Sequence, residues 1–126
     1  MTHLIARKRV LIAEDETGLR TLMRDTIAGD YEVLEAATGQ QALRVAETYR
    51  LDAILLDIGM SETDGLTVCR LLKSFPDMAS VRVIMTSGRA DGQRGRSSFD
   101  VGADYFLPKP FTPQALRQLL QIACSN

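Results

Sequence analysis

Apolar runs and helically spaced apolar positions take turns along this chain. Val10-Leu11-Ile12-Ala13, Ala53-Ile54-Leu55-Leu56 and Val81-Arg82-Val83-Ile84-Met85-Thr86 are short, nearly continuous apolar runs. Runs of this length read as strands buried on both faces of a parallel sheet. Tyr31-Glu32-Val33-Leu34-Glu35 is more polar and partly alternating, as an edge strand should be, and Asp104-Tyr105-Phe106-Leu107 makes a fifth strand. Between the strands, Leu19, Leu22, Met23 and Ile27 recur at helical spacing up to Gly29-Asp30. Thr38-Gly39 opens a second helix with Ala42, Leu43, Ala46 and Tyr49 on or near its buried side. Asp64-Gly65 starts a third, carrying Leu66, Val68, Cys69, Leu71 and Leu72 as far as the Phe75-Pro76 break. Thr112-Pro113 sets a cap and then a proline at the first helical position of the last helix, whose apolar face is Leu116, Leu119, Leu120 and Ala123.

This strand–helix alternation predicts an α/β domain with right-handed crossovers and helices on both faces of a parallel sheet. The exception is Ser87 to Val101, where another helix is due. Gly92 and Gly95 each cost about 1 kcal/mol against alanine inside a helix, and only Phe99 and Val101 offer strong apolar anchors. A short or mobile helix is expected, with hydrogen exchange fastest across Gly88 to Ser98. The glycines with Arg89, Arg94 and Arg96 could be read as a phosphate cradle, but no P-loop lysine follows, so a solvated turn is the better reading.

Composition narrows the class. The chain has 126 residues, enough for one domain with a real core. Residues 1–8 read as an N-terminal tail, with the lone His3 in it, and residues 9–126 as the domain. Net charge is −1, which argues against a general nucleic-acid or membrane-surface binder. No apolar run approaches a membrane span, and the basic start lacks a signal peptide's apolar stretch. Cys69 and Cys124 fit neither a disulfide framework nor a zinc site. Reduced thiols suit a cytoplasmic location.

The chemistry gathers at the strand ends. In open parallel sheets, ligands bind beyond the carboxyl ends of the strands. The first strand ends at Glu14-Asp15, the third at Asp57 and the fourth at Thr86-Ser87, while Lys109 follows the fifth. Taken alone, Asp57 reads better as a helix cap than as a catalytic acid. Together, the acids would repel one another unless a cation were present. Mg²⁺ would relieve this through one or two carboxylates, a backbone carbonyl and waters, with the carbonyl of Gly59 well placed. A carboxylate, Mg²⁺, a lysine and a hydroxyl suit phosphoryl transfer, with Asp57 as nucleophile and Lys109 and Thr86 on the transferring oxygens. No histidine or cysteine falls in this cleft to serve a Ser–His or Cys–His mechanism, and no glycine-rich loop follows the first strand for a dinucleotide.

At this point the chain resembles the receiver domain of bacterial two-component response regulators, of the chemotaxis-regulator fold type, over nearly its whole length. Val-Leu-Ile-Ala-Glu-Asp resembles the family's acid-pair strand, Leu-Leu-Asp-Ile-Gly-Met its phosphoacceptor motif, Val-Ile-Met-Thr-Ser-Gly its switch strand and Gly-Ala-Asp-Tyr-Phe-Leu-Pro-Lys-Pro-Phe its last motif. The resemblance implies a five-stranded, doubly wound, flavodoxin-like sheet of order 2-1-3-4-5. It makes Asp57 the phosphoacceptor, Asp15 the direct Mg²⁺ ligand and Glu14 a ligand through water. It also makes Thr86 the switch hydroxyl with Ser87 beside it, Phe106 the switch aromatic and Lys109 the phosphate-binding lysine, with a cis peptide bond at Lys109–Pro110.

The sequence departs from the pattern at three places. Ser61 stands where proline is usual, Glu14 where aspartate is commoner, and Phe106 lacks the hydroxyl of the frequent tyrosine. The implied function is a phosphorylation-controlled switch, not an enzyme in its own right. Its partner would be a sensor histidine kinase or a phosphotransfer protein. The downstream effector or output domain is open, as is a phosphorylation-dependent dimer, and the domain itself would contact neither nucleic acid nor membrane. The chain ends just after the last helix, so it reads as a single-domain regulator or a receiver cut from a longer protein, and its start close to the first strand favours an N-terminal position in any parent. The alternative is a Mg²⁺-dependent phosphohydrolase using Asp57. That reaction needs a general acid–base, and the position two after Asp57 is Gly59, which cannot donate a proton.

Overall fold

The computed structural model describes residues 7–60, 64–88 and 98–125. Five parallel strands form one sheet in the order β2-β1-β3-β4-β5. They are β1 (Arg9–Ala13), β2 (Glu32–Ala36), β3 (Ala53–Asp57), β4 (Arg82–Ser87) and β5 (Tyr105–Pro108). Among the described residues the α-helices are α1 (Thr17–Ile27), α2 (Gly39–Thr48), α3 (Gly65–Ser74) and α4 (Pro113–Cys124).

Period two decides which helix each strand residue meets. Leu11, Ile54, Leu56, Val83 and Met85 face one side, where Ala42 and Ala46 of α2 and Val68, Cys69 and Leu72 of α3 cover them. Val10, Ile12, Ala53, Leu55 and Ile84 face the other, under Met23 and Ile27 of α1 and Leu116, Leu120 and Ala123 of α4. The central strand β3 is buried along its whole length, Asp57 included. Each buried leucine or isoleucine in it contributes roughly 1.5–3 kcal/mol of transfer free energy.

The helix starts follow the capping rule. Thr38, Asp64 and Thr112 each accept a backbone N–H in the first turn of α2, α3 and α4. Glu16 does the same for α1, taking the N–H groups of Gly18 and Leu19. Asp64, not Asp57, caps α3. β5 is tied to the rest by Asp104, whose Oδ2 accepts the Val83 N–H at 2.8 Å and the Lys73 ammonium at 2.9 Å. The stem of Lys73 runs beneath Gly102, whose φ of +106° belongs to glycine.

Four expected core positions are corrected. Leu22 and Leu71 lie at the rims of their helix stripes and are exposed, at 52% and 42%. Tyr49 falls just past the last turn of α2 and is also exposed, with the Arg9 guanidinium 5.5 Å from its ring centroid. Phe99 is 54% exposed in a short 3-10 turn, Phe99–Val101, so of the two expected anchors only Val101 packs against the core. β2, β4 and β5 each begin one residue later than the apolar pattern suggested and reach one residue further. The helix expected between Ser87 and Val101 falls mostly on residues 89–97, outside the described residues, as does Ser61.

Candidate functional site

Parallel register brings the ends of β1, β3, β4 and β5 to one edge. Ala13 is level with Leu56, Asp57 with Thr86, and Ser87 with Pro108. Just past these ends, single oxygens from the carboxylates of Glu14, Asp15 and Asp57 all lie within 4.8 Å of one another. Glu14 and Asp57 are buried, and Asp15 is half-buried.

Lys109 enters this group from the loop after β5. Its ammonium lies 3.0 Å from Glu14 Oε1 and 3.2 Å from Asp57 Oδ1. Its backbone N–H donates to the Ser87 carbonyl at 2.6 Å, and the Lys109–Pro110 peptide is cis. Ser87 therefore holds Lys109 through its main chain. Asp57 Oδ1 also accepts the Gly59 N–H at 3.0 Å. Thr86 is buried beside Asp57, and its carbonyl accepts the Ile58 N–H at 2.9 Å. Phe106 sits one residue earlier on β5, half-buried against the α2–α3 core.

The charges are unequally matched. Burial pushes the Glu14 carboxyl above the usual carboxylate range, while the Glu16 N–H and Lys109 pull it back. Burial also works against the Lys109 charge, but Glu14 and Asp57 more than offset it and hold the ammonium protonated beyond its ordinary range. Three carboxylates against one ammonium leave an excess of negative charge and of hard oxygen donors. That donor set fits a hard divalent cation.

Three positions escaped the sequence reading. Gly65 packs so closely that a Cβ there would stand 2.5 Å from the Asp57 carbonyl oxygen and 2.6 Å from Ile58 Cα. The Asp-Gly pair signalled a helix start, but not this approach to β3. Arg20 donates to the Glu14 carbonyl oxygen at 2.7 Å and to Glu35 Oε1 at 3.2 Å. On its helix Arg20 reads as an ordinary solvated charge, and Glu35 likewise on its edge strand.

Beside Lys109 an apolar groove of about 640 Å³ opens between α1 and the loop after β5, lined by Leu19, Leu22, Gly88, Pro110 and Phe111. Among the described residues no helix is long and apolar enough to cross a membrane.

Comparison with known proteins agrees with this geometry. The family model for the response regulator receiver domain matches residues 10–121. The chain is 37% identical over 115 residues to the KDP operon transcriptional regulatory protein KdpE of Escherichia coli, covering 90% of this chain and 50% of that protein. It is 35% identical over 113 residues to the response regulator MprA of Mycolicibacterium vanbaalenii, covering 89% and 47%. The chain thus spans about half the length of these relatives. Among solved structures, the receiver domain of the sensor histidine kinase PA1611 from Pseudomonas aeruginosa, with magnesium coordinated in its active-site cleft, has a TM-score of 0.87 at 29% identity, covering 96% of this chain and all of that one. The chemotaxis response regulator CheY4 of Vibrio cholerae gives 0.87 at 27% identity, with coverage of 94% and 99%. With the sheet order, the clustered acids and a family match over most of its length, this chain belongs to the response regulator receiver domain family.

Proposed function

We propose that this chain is the phosphoacceptor switch of a two-component system and that Asp57 is its acceptor. The observation that carries this reading is the Asp57 carboxylate itself. It lies at the carboxyl edge of the central strand, paired with Lys109 and with the Gly59 N–H, inside a cluster of acids. Asp15, Asp57 and the carbonyl of Gly59, with Glu14 acting through water, would hold Mg²⁺, which supplies positive charge to the phosphoryl oxygens when bound.

The residues then divide the work. An oxygen of Asp57 attacks the phosphorus of a phosphohistidine on the donor. The new O–P bond forms as the N–P bond breaks, and the electron pair leaves with the imidazole nitrogen, which takes up a proton. Lys109 follows the charge onto the phosphoryl oxygens, since it already sits against Asp57. Thr86 lies level with Asp57 on β4, in position to donate its hydroxyl to a phosphoryl oxygen and, with Phe106, to pass the change to the outer face of β4 and β5. Gly59 carries no side chain to shield the acyl phosphate, so water reaches it and self-dephosphorylation resets the switch. A phosphohydrolase reading lacks a general acid–base at position 59.

The donor protein must bring its histidine over this open edge. The apolar groove lined by Leu19, Leu22 and Phe111 adjoins Lys109, and a helix of the donor would cover it. We read residues 9–126 as the receiver domain and 1–8 as a tail. The longer relatives support a transcriptional output attached to such a domain, and a kinase partner sets the chain in the cytoplasm, where its two buried free thiols stay reduced. Incubation with acetyl phosphate tests the assignment. Acid-stable, base-labile phosphoryl incorporation that needs Mg²⁺ is expected, and incorporation unaffected by EDTA would contradict it.

A further inference from the structure

We propose that Arg20 is a positioning residue for the metal site, acting through the peptide between Glu14 and Asp15. The proposal rests on the reading of Asp15 as a Mg²⁺ ligand. Arg20 lies in the first turns of α1, its backbone N–H bonded to the Glu16 carbonyl at 2.9 Å. Its side chain turns back across the β1–α1 connection and is only 16% exposed. One terminal nitrogen donates to the Glu14 carbonyl oxygen at 2.7 Å. The peptide unit is planar, so fixing that oxygen also fixes the plane from which Asp15 departs. The Glu14 N–H on the other side is held by the Ala36 carbonyl at 3.0 Å, so the chain is pinned on both sides of Glu14.

Glu35 makes this arrangement compatible with a cation. Its Oε1 accepts the Arg20 Nε at 3.2 Å, and its Oε2 accepts Arg24 at 3.2 Å. Glu35 stands on β2 level with Ile12 of β1, so it meets the guanidinium from the neighbouring strand. A guanidinium next to a divalent site repels the ion. Paired with Glu35, it keeps its hydrogen bond to the Glu14 carbonyl while much of its charge is matched. Positioning and simple electrostatics therefore predict opposite signs. If Arg20 acts only as a nearby positive charge, its removal tightens Mg²⁺ binding. If it positions the Glu14–Asp15 peptide, removal weakens binding, and outer partners of metal ligands typically govern affinity by about 10- to 100-fold.

The test is the Mg²⁺ dissociation constant of the unphosphorylated chain by titration calorimetry. Thermal midpoints in EDTA serve as the check on folding. Arg20→Ala is expected to weaken Mg²⁺ binding about tenfold or more while the fold persists in EDTA. Glu35→Gln, which leaves the Arg20 charge less compensated, is expected to weaken it by less. Unchanged or tighter binding in Arg20→Ala overturns the proposal, and if that variant does not fold, the same result in Arg20→Gln, which also removes the charge, overturns it instead. Asp15→Asn separates the two layers. If it binds Mg²⁺ like the native chain, the metal-site reading fails, whereas its loss of binding beside an unaffected Arg20→Ala rejects only the role of Arg20.

Discussion

The ammonium of Lys109 lies 3.2 Å from Oδ1 of Asp57, although the two residues belong to different strand ends and meet only across the edge of the sheet. Lys109 thus carries a fixed positive charge to the atom proposed to take the phosphoryl group. Lys109→Ala removes the one protein cation in contact with both Asp57 and Glu14 among the described residues. Loss of such a preorganised charge is expected to slow labelling by acetyl phosphate by roughly 100- to 1,000-fold. The initial rate of incorporation, at Mg²⁺ concentrations that saturate each variant, measures this.

Gly65 holds the other side of Asp57. A methyl group at that position meets backbone atoms of Asp57 and Ile58 at 2.5–3.0 Å, and backbone cannot swing aside as a flexible side chain can. Gly65→Ala must push α3 away from the end of β3. A loss of about 1–3 kcal/mol in urea unfolding is expected, as for overpacked cores, together with slower labelling. The same substitution at Gly29, where no atom stands within 4 Å of a Cβ, is the matched control and leaves labelling unchanged.

Leu22 separates the donor from the chemistry. It is exposed at the mouth of the groove beside Lys109 and contacts none of the acids. Leu22→Glu is expected to slow transfer from a phosphohistidine protein by at least about tenfold, the scale of one lost apolar anchor with a buried charge added. Labelling by acetyl phosphate should stay unchanged. Comparison of the two donors on the same protein reads the difference.

Cys69 gives the protein a pH dependence apart from the site. Its thiol is fully buried on α3, and its Sγ lies 3.6 Å from the Val101 carbonyl oxygen. Burial, aided by Asp104 and opposed by Lys73, pushes its pKa from 9.0 up to about 11. The folded chain keeps a proton there that the unfolded chain releases first. The stabilisation is complete below pH 9.0 and is lost as pH rises through about 11. Over that window the native chain should lose roughly 2 kcal/mol more stability than Cys69→Ala, as urea titrations at matched pH would measure. In the same way, alkylation of native Cys69 near pH 8 should be far slower than in urea.

The strands and their two-faced burial were legible because period two and unbroken apolar runs mark a parallel sheet directly. Asp57, Glu14, Asp15 and Lys109 were legible as a group because strand ends in such a sheet must share an edge. The miscast positions have a common cause. Leu22, Leu71 and Tyr49 sit where a helical stripe meets solvent, and spacing alone does not say how far the neighbouring element reaches. Gly65 and Arg20 each meet backbone atoms of a strand end that lies several positions back in the sequence. Their roles depend on the approach of α3 to β3 and on the return of α1 across the end of β1, which no local pattern encodes. Glu16 was readable only as one more acid, although its carboxylate caps α1.

The central claim is that phosphate enters at Asp57. The most direct measurement is peptide mapping by mass spectrometry after incubation with acetyl phosphate and Mg²⁺, on the native chain and on Asp57→Asn. A single added phosphoryl group on the peptide containing Asp57, absent from Asp57→Asn, is the predicted result. A phosphoryl group on another residue of the native chain, or equal incorporation in Asp57→Asn, would contradict it.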